Sequence, residues 1–158
     1  MNKKDVFKVS DMSIAYKPKK KSLIKIDCSE TAVRCMRSLW TEMSVRETVR
    51  AFYLNASNEV IGCYTVGIGS LAQSTIDIQG IFQAALLCAA KGIILAHNHP
   101  SGSVFPSRAD EDLTRSVRAA CTLLGFTLSD HIILTEDNFY SMADADRNFY
   151  RPLKLRIG

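Results

Sequence analysis

Two of the three histidines in the chain stand one residue apart, in His97-Asn98-His99-Pro100-Ser101-Gly102, and a hydroxyl and a carboxylate follow at Ser107 and Asp110. On an extended strand residues i and i+2 project to the same side, so His97 and His99 aim both rings at one point. Neutral imidazole is a favoured zinc ligand. Two imidazoles with one carboxylate form a common catalytic set, whose three protein ligands leave the fourth position open for water. The pattern reads as a catalytic metal site.

The downstream spacing supports it. Seven residues separate His99 from Ser107, and two separate Ser107 from Asp110. Pro100-Ser101-Gly102 suits a sharp reversal, and Pro106 ends the loop before a helical pattern begins. Ser107 is a good N-cap, which sets Asp110 in the first turn, where the helix dipole favours a carboxylate. Capping alone accounts for Ser107 and Asp110. It leaves the paired histidines unexplained, and the four residues together favour the metal site.

His-x-His, seven residues, Ser, two residues, Asp resembles the JAMM motif of the MPN/JAB metalloprotease superfamily. Within it, His97 to Gly102, Pro106-Ser107, Asp110 and Asp130-His131 look like the bacterial RadC family, with the resemblance running from about Glu47 to about Ser141. The resemblance implies a cytidine-deaminase-like architecture and one zinc ion held by His97, His99 and Asp110. It further implies a hydrogen bond from Ser107 to the developing oxyanion, and an upstream Glu as general base. Longer members carry an N-terminal helix-hairpin-helix module that binds DNA backbone. The residues ahead of Glu47 lack its Gly-rich hairpin, so the DNA-repair association of the family name transfers poorly.

Four glutamates precede the histidines: Glu30, Glu42, Glu47 and Glu59. Glu47 heads the strand-like run Thr48 to Leu54 and matches the place of the family's base. Glu59 falls at the hairpin turn after Asn55-Ala56-Ser57-Asn58, and Glu42 precedes the strand; both read as solvent-facing. Without the motif, Glu47 too would read as a solvated strand-end carboxylate.

At 158 residues the chain is long enough for one domain with a proper core. We expect a single globular unit, with residues 1–41 as an N-terminal arm and first helix packed on a metal-binding domain over 42–158. No run is long enough to span a membrane, and Met1-Asn2-Lys3-Lys4-Asp5 has no apolar region after it, so a cytoplasmic location is expected. Five cysteines, odd in number and without a Cys-x-x-Cys pair, read as free thiols in a reducing compartment. A net charge of +4 is modest for a nucleic-acid binder. Basic residues gather at Lys17-Pro18-Lys19-Lys20-Lys21 and at Arg147, Arg151, Lys154 and Arg156, and the first run reads as a solvated loop.

Strand-like and helical patterns interleave. The arm Val6 to about Ile26 has two strand-like pieces. Ser29 is expected to cap a helix to about Thr41, with Val33, Met36 and Trp40 on its buried face. A hairpin follows, with strands Thr48 to Leu54 and Val60 to Val66. Ile78, Phe82, Ala85, Leu86 and Ala89 mark a second helix stopped by Gly92. Ile93 to Ala96 is a short strand that delivers His97 at its C-terminal end. A third helix runs from Arg108 to about Leu124, with Leu113, Val117, Ala120 and Leu124 on one face, and a strand holding Asp130 and His131 follows Gly125. The reading is an α/β sandwich, three-layer-like, around a mixed sheet flanked by helices.

His131 can be read as a further ligand, an outer partner that orients a metal-bound residue, or a core histidine; the structural role is favoured and Asp130 is undecided. Nucleobase deamination requires His-x-Glu with Pro-Cys-x-x-Cys, and the chain has neither. The expected activity is a zinc-dependent hydrolase (a metalloprotease), and the resemblance implies that it acts on peptide or isopeptide bonds in a peptide or protein substrate. The alternative is a nucleic-acid-associated, DNA-repair-linked RadC-like protein whose metal site is structural or vestigial.

Overall fold

A computed structural model of the protein describes residues 23–41, 43–69 and 76–149. The run Lys17 to Lys21, most of the N-terminal arm, Glu42, Arg151, Lys154 and Arg156 lie outside the described residues. Five strands make one mixed sheet: β1 (Thr48–Leu54), β2 (Val60–Ile68), β3 (Gly92–Asn98), β4 (Thr127–Leu134) and β5 (Phe139–Ser141), in the spatial order β2-β1-β3-β4-β5. β3 and β4 are parallel, joined through the helix α3 (Arg108–Leu124), and every other pairing is antiparallel. A parallel pair needs such a crossover, and the hairpin does not.

Alternation along the central strands divides the core. Phe52, Leu54, Ile94 and Ala96 face one side and pack on Ala32, Val33 and Met36 of α1 (Ser29–Arg37). Val49, Ala51, Ile93 and Leu95 face the other, beneath Ile81 and Phe82 of α2 (Ile78–Leu87) and Leu113 and Val117 of α3. The three layers are those expected. A short α4 (Met142–Ala145) closes the end of β5. No described helix is long and apolar enough to cross a membrane.

Three local expectations change. α1 begins at Ser29 with Cys28 as its N-cap, and ends at Arg37 instead of Thr41. Bonds from Leu39 N to Met36 O (2.9 Å) and Trp40 N to Arg37 O (3.1 Å) tighten the chain into a turn there. Trp40 is drawn instead onto Phe52, at 6.5 Å between ring centroids, and partly buried. In α3, Cys121 takes the inward position and Leu124 is half exposed.

The end of α2 is the third change. Its left-handed residue is Ala89 (φ 52°), not Gly92, and Ala90 N closes the turn onto Ala85 O at 3.0 Å. Gly92 starts β3, where a Cβ would stand 2.9 Å from Ser129 Oγ, so a larger residue would have to displace that side chain. Left-handed backbone costs an L-residue about 1–2 kcal/mol, whereas glycine adopts it freely. Ala89→Gly should therefore stabilise the protein, by about 1 kcal/mol, read as a higher urea midpoint at unchanged slope; a lower midpoint would contradict the strain.

Candidate metal centre

Strand register assembles the site. β1 pairs antiparallel with β3, with Val49 opposite His97. Continuing that register outward brings Glu47 level with His99, at the end of the sheet where β3 hands the chain to α3. Sites gather at such strand ends in sheets flanked by helices. The loop from Pro100 turns back at Gly102 (φ 80°), and α3 returns the chain over the same end with Asp110 in its first turn.

Local capping fixes Asp110. Ser107 N and Ser107 Oγ donate to Asp110 Oδ2 at 2.6 and 2.7 Å, while Asp110 N donates to Ser107 Oγ at 3.2 Å. This reciprocal capping box occupies one carboxylate oxygen and leaves the other free to turn inward. Oδ1 is buried, 3.0 Å from His97 Nε2, yet no aligned donor reaches it. An unsatisfied buried carboxylate oxygen is costly unless something cationic belongs beside it.

The histidines complete the cluster. Their Nε2 atoms lie 2.9 Å apart, and His99 Nε2 is 3.5 Å from Asp110 Oδ2. His99 Nδ1 donates to Ser103 O at 2.7 Å, so its proton sits there and Nε2 presents a lone pair. One donor atom each from Glu47, His97, His99 and Asp110 fall within 4.8 Å of one another. A tetrahedral zinc ion with bonds of about 2.0–2.1 Å separates its ligands by roughly 3.3 Å, so this donor set fits zinc in both chemistry and spacing.

Electrostatics agree with that cation-seeking character. Burial alone would raise the Asp110 pKa, but the contacts from His97 and His99, with Ser107 behind them, hold the carboxyl far below its usual range. Asp110, the Ser103 carbonyl and the charge of Glu47 raise His99 above the ordinary imidazole value, against the effect of burial. Desolvation first, then the neighbouring His97, pushes His131 well down.

The remaining sequence candidates separate clearly. Glu59 is tied into the β1–β2 turn by Asn55 Nδ2 at 2.7 Å, and Glu30 lies in the first turn of α1. Asp130 accepts from His131 N, Ala143 N and Ser141 Oγ (2.7, 3.0 and 2.6 Å), so it holds the start of α4 and stands outside the metal cluster. His131 is fully buried with Nε2 2.9 Å from His97 Nδ1, on the ring edge turned away from the cluster. It is an outer partner of His97 rather than a ligand. Thr114, one turn beyond Asp110, meets the other nitrogen of His131 at 2.6 Å. Sequence reasoning passed over Thr114, whose only signal was a hydroxyl on the buried face of α3.

Asn98 is the second residue whose role the sequence hid. Its Oδ1 accepts from Trp40 Nε1 (2.9 Å) and Thr48 N (2.8 Å), and its Nδ2 donates to Met43 O (2.6 Å) and Arg46 O (2.8 Å). Those partners bracket Glu47 on both sides, so the residue between the two histidines also anchors the Glu47 segment. Asn98→Ala would leave four partners unmet at about 1–3 kcal/mol for each one that stays dry. It should cost about 3 kcal/mol or more in urea unfolding, well beyond Trp40→Phe, which breaks one bond. Equal losses in the two variants would show that Asn98 carries no more than that bond.

The geometry agrees with comparisons against known proteins. A family model described as "RadC-like JAB domain" matches residues 26–148. A UPF0758 protein of Streptococcus sanguinis is 41% identical over 96 residues, covering 61% of this chain and 42% of the relative. One from Streptococcus gordonii is 43% identical over 96 residues, covering 61% and 42%. A third, from Flavobacterium johnsoniae, is 36% identical over 122 residues, covering 77% and 53%. The chain thus matches about half the length of these relatives. With the five-stranded mixed sheet and the Glu-His-His-Asp cluster in place, the chain belongs to the family of RadC-like JAB domains.

Proposed function

We propose that the protein is a zinc-dependent hydrolase of peptide or isopeptide bonds, acting in the cytoplasm. The observation that carries this reading is the buried, donorless Asp110 Oδ1 facing His97 Nε2, with His99 Nε2 2.9 Å from that same nitrogen. Groups that only held the fold together would place an aligned proton on that oxygen. A zinc ion held by His97, His99 and Asp110 would supply Lewis acidity for hydrolysis. Glu47 takes the proton of the attacking water and returns it to the leaving amine. Ser107, its hydroxyl beside Asp110, rotates that O–H toward the oxyanion as the carbonyl is attacked.

The surroundings favour a chain-like substrate. A cleft of ≈ 180 Å³ opens beside His99, lined by Met43, Ser44, Thr135 and Asn138 among others. Sites that enclose a small molecule usually offer about 300–1,000 Å³. A peptide, which presents one side chain to the cleft and lies otherwise across the surface, suits the smaller space. Five free thiols fit a reducing compartment.

Purified protein should carry one zinc ion per chain, and His97→Ala/His99→Ala should remove it; full metal content in the double variant would overturn the ligand assignment. Zinc affinity should also depend on pH with a definite sign. A proton on His99 Nε2 competes with metal, and its pKa is raised above 6.5. Binding should therefore be tight on the alkaline side and weaken as pH falls through that raised value. Affinity that stays flat across this window would remove His99 from the ligands.

Glu47→Gln should keep its zinc and lose about a hundred- to ten-thousand-fold in turnover on a substrate drawn from a peptide library. An emptied site would make Glu47 a ligand, and undiminished turnover would assign the base elsewhere. Chelator-insensitive protein that instead binds DNA with a steep salt dependence would favour the nucleic-acid alternative.

A further inference from the structure

We propose that Thr114 and His131 form a proton-orienting relay that holds His97 in its metal-binding tautomer. The proposal rests on the reading that His97 is a zinc ligand, and extends it to residues that touch no metal. A neutral imidazole binds metal only through the nitrogen that lacks a proton, so whatever fixes the proton on Nδ1 makes Nε2 a ligand.

The direction of the relay starts at a backbone carbonyl. Thr114 Oγ1 lies 2.6 Å from Asp110 O, the carbonyl one turn earlier in α3, which can only accept. Its other neighbours are Met142 Sδ at 3.3 Å, a weak acceptor, and His131 Nδ1 at 2.6 Å. With its single proton given to the carbonyl, the Thr114 oxygen must accept from His131 Nδ1–H. His131 has no exposed surface and no carboxylate on its ring, and with its proton on Nδ1 the Nε2 atom is left as the acceptor. At 2.9 Å that acceptor takes the proton of His97 Nδ1. The lone pair left on His97 Nε2 faces Asp110 Oδ1 and His99 Nε2.

Both ends of this chain are attached to ligand residues. It begins at the carbonyl of Asp110 and finishes on the ring of His97, so one helix turn sets the position of the carboxylate and the protonation of the imidazole together. The choice of an imidazole as middleman also has a reason. A carboxylate behind His97 would orient it equally well, but would add a further negative charge beside Glu47 and the fully buried Asp110. His131 transmits direction without charge.

The test uses Thr114→Val, which keeps the shape and deletes the hydroxyl, with Thr114→Ser as the conservative rescue. Nitrogen-15 NMR of the histidine rings is recorded on metal-free protein at mildly alkaline pH, and zinc affinity is read by competition with a chromophoric chelator. Wild type should show the His97 proton on Nδ1. Thr114→Val should move it to Nε2 and weaken zinc binding by about 10–100-fold, and Thr114→Ser should restore both. A His97 proton on Nε2 in the wild type, or Thr114→Val with wild-type tautomer and wild-type zinc affinity, overturns the relay. Should Thr114→Val fail to fold, the wild-type spectrum decides alone. If wild type takes up no zinc at all, the hydrolase reading fails, while the ring spectra still decide the relay.

Discussion

Lone pairs on His97 Nε2, His99 Nε2 and Asp110 Oδ1 crowd one small buried space, and they repel unless a positive charge lies among them. That constraint organises the rest of the molecule. A carboxylate with no exposed surface and an unsatisfied oxygen is tolerated only if the fold holds it rigidly by its other oxygen, which the capping box of α3 does. The histidine rings are likewise held from behind, His99 by the Ser103 carbonyl and His97 by His131. Each of these residues is thus fixed by a partner on the side away from the cluster.

The sheet supplies the frame for that arrangement. β3 lies at the centre of the sheet, every one of its residues buried, and so delivers His97 from the most constrained part of the fold. The antiparallel neighbour β1 brings Glu47 to the same end, and the parallel crossover through α3 brings Asp110. Asn98 welds the two antiparallel strands to the segment around Glu47 by four side-chain hydrogen bonds. Opposite faces of one strand therefore carry His97 and the Asn98 clamp, in the alternation that strand geometry enforces.

How much of this the sequence disclosed depends on the range of each contact. His97, His99, Ser107 and Asp110 were legible because strand alternation and helix capping are local rules. The three helices and the hairpin were legible for the same reason. Glu47 was not: only the register of β1 against β3 brings it near, and resemblance alone singled it out. Thr114 and His131 meet across the core, so neither spacing nor composition joins them. Ala89 was misread because glycine is the usual left-handed residue, and here packing at Gly92 claims the glycine for a strand. The end of α1 was misread because Asn98, distant in sequence, pulls Trp40 out of the helical path.

The central claim is that the convergent lone pairs belong to a metal ion and not to a proton network. Zinc K-edge X-ray absorption of the zinc-loaded protein tests it most directly, since it reports ligand atoms and recognises imidazole by its outer scattering. The account predicts only nitrogen and oxygen neighbours at about 2.0–2.1 Å, with the imidazole signature of two histidines. Sulfur neighbours at about 2.3 Å, or a spectrum unaltered by His97→Ala, would place the ion elsewhere and contradict it.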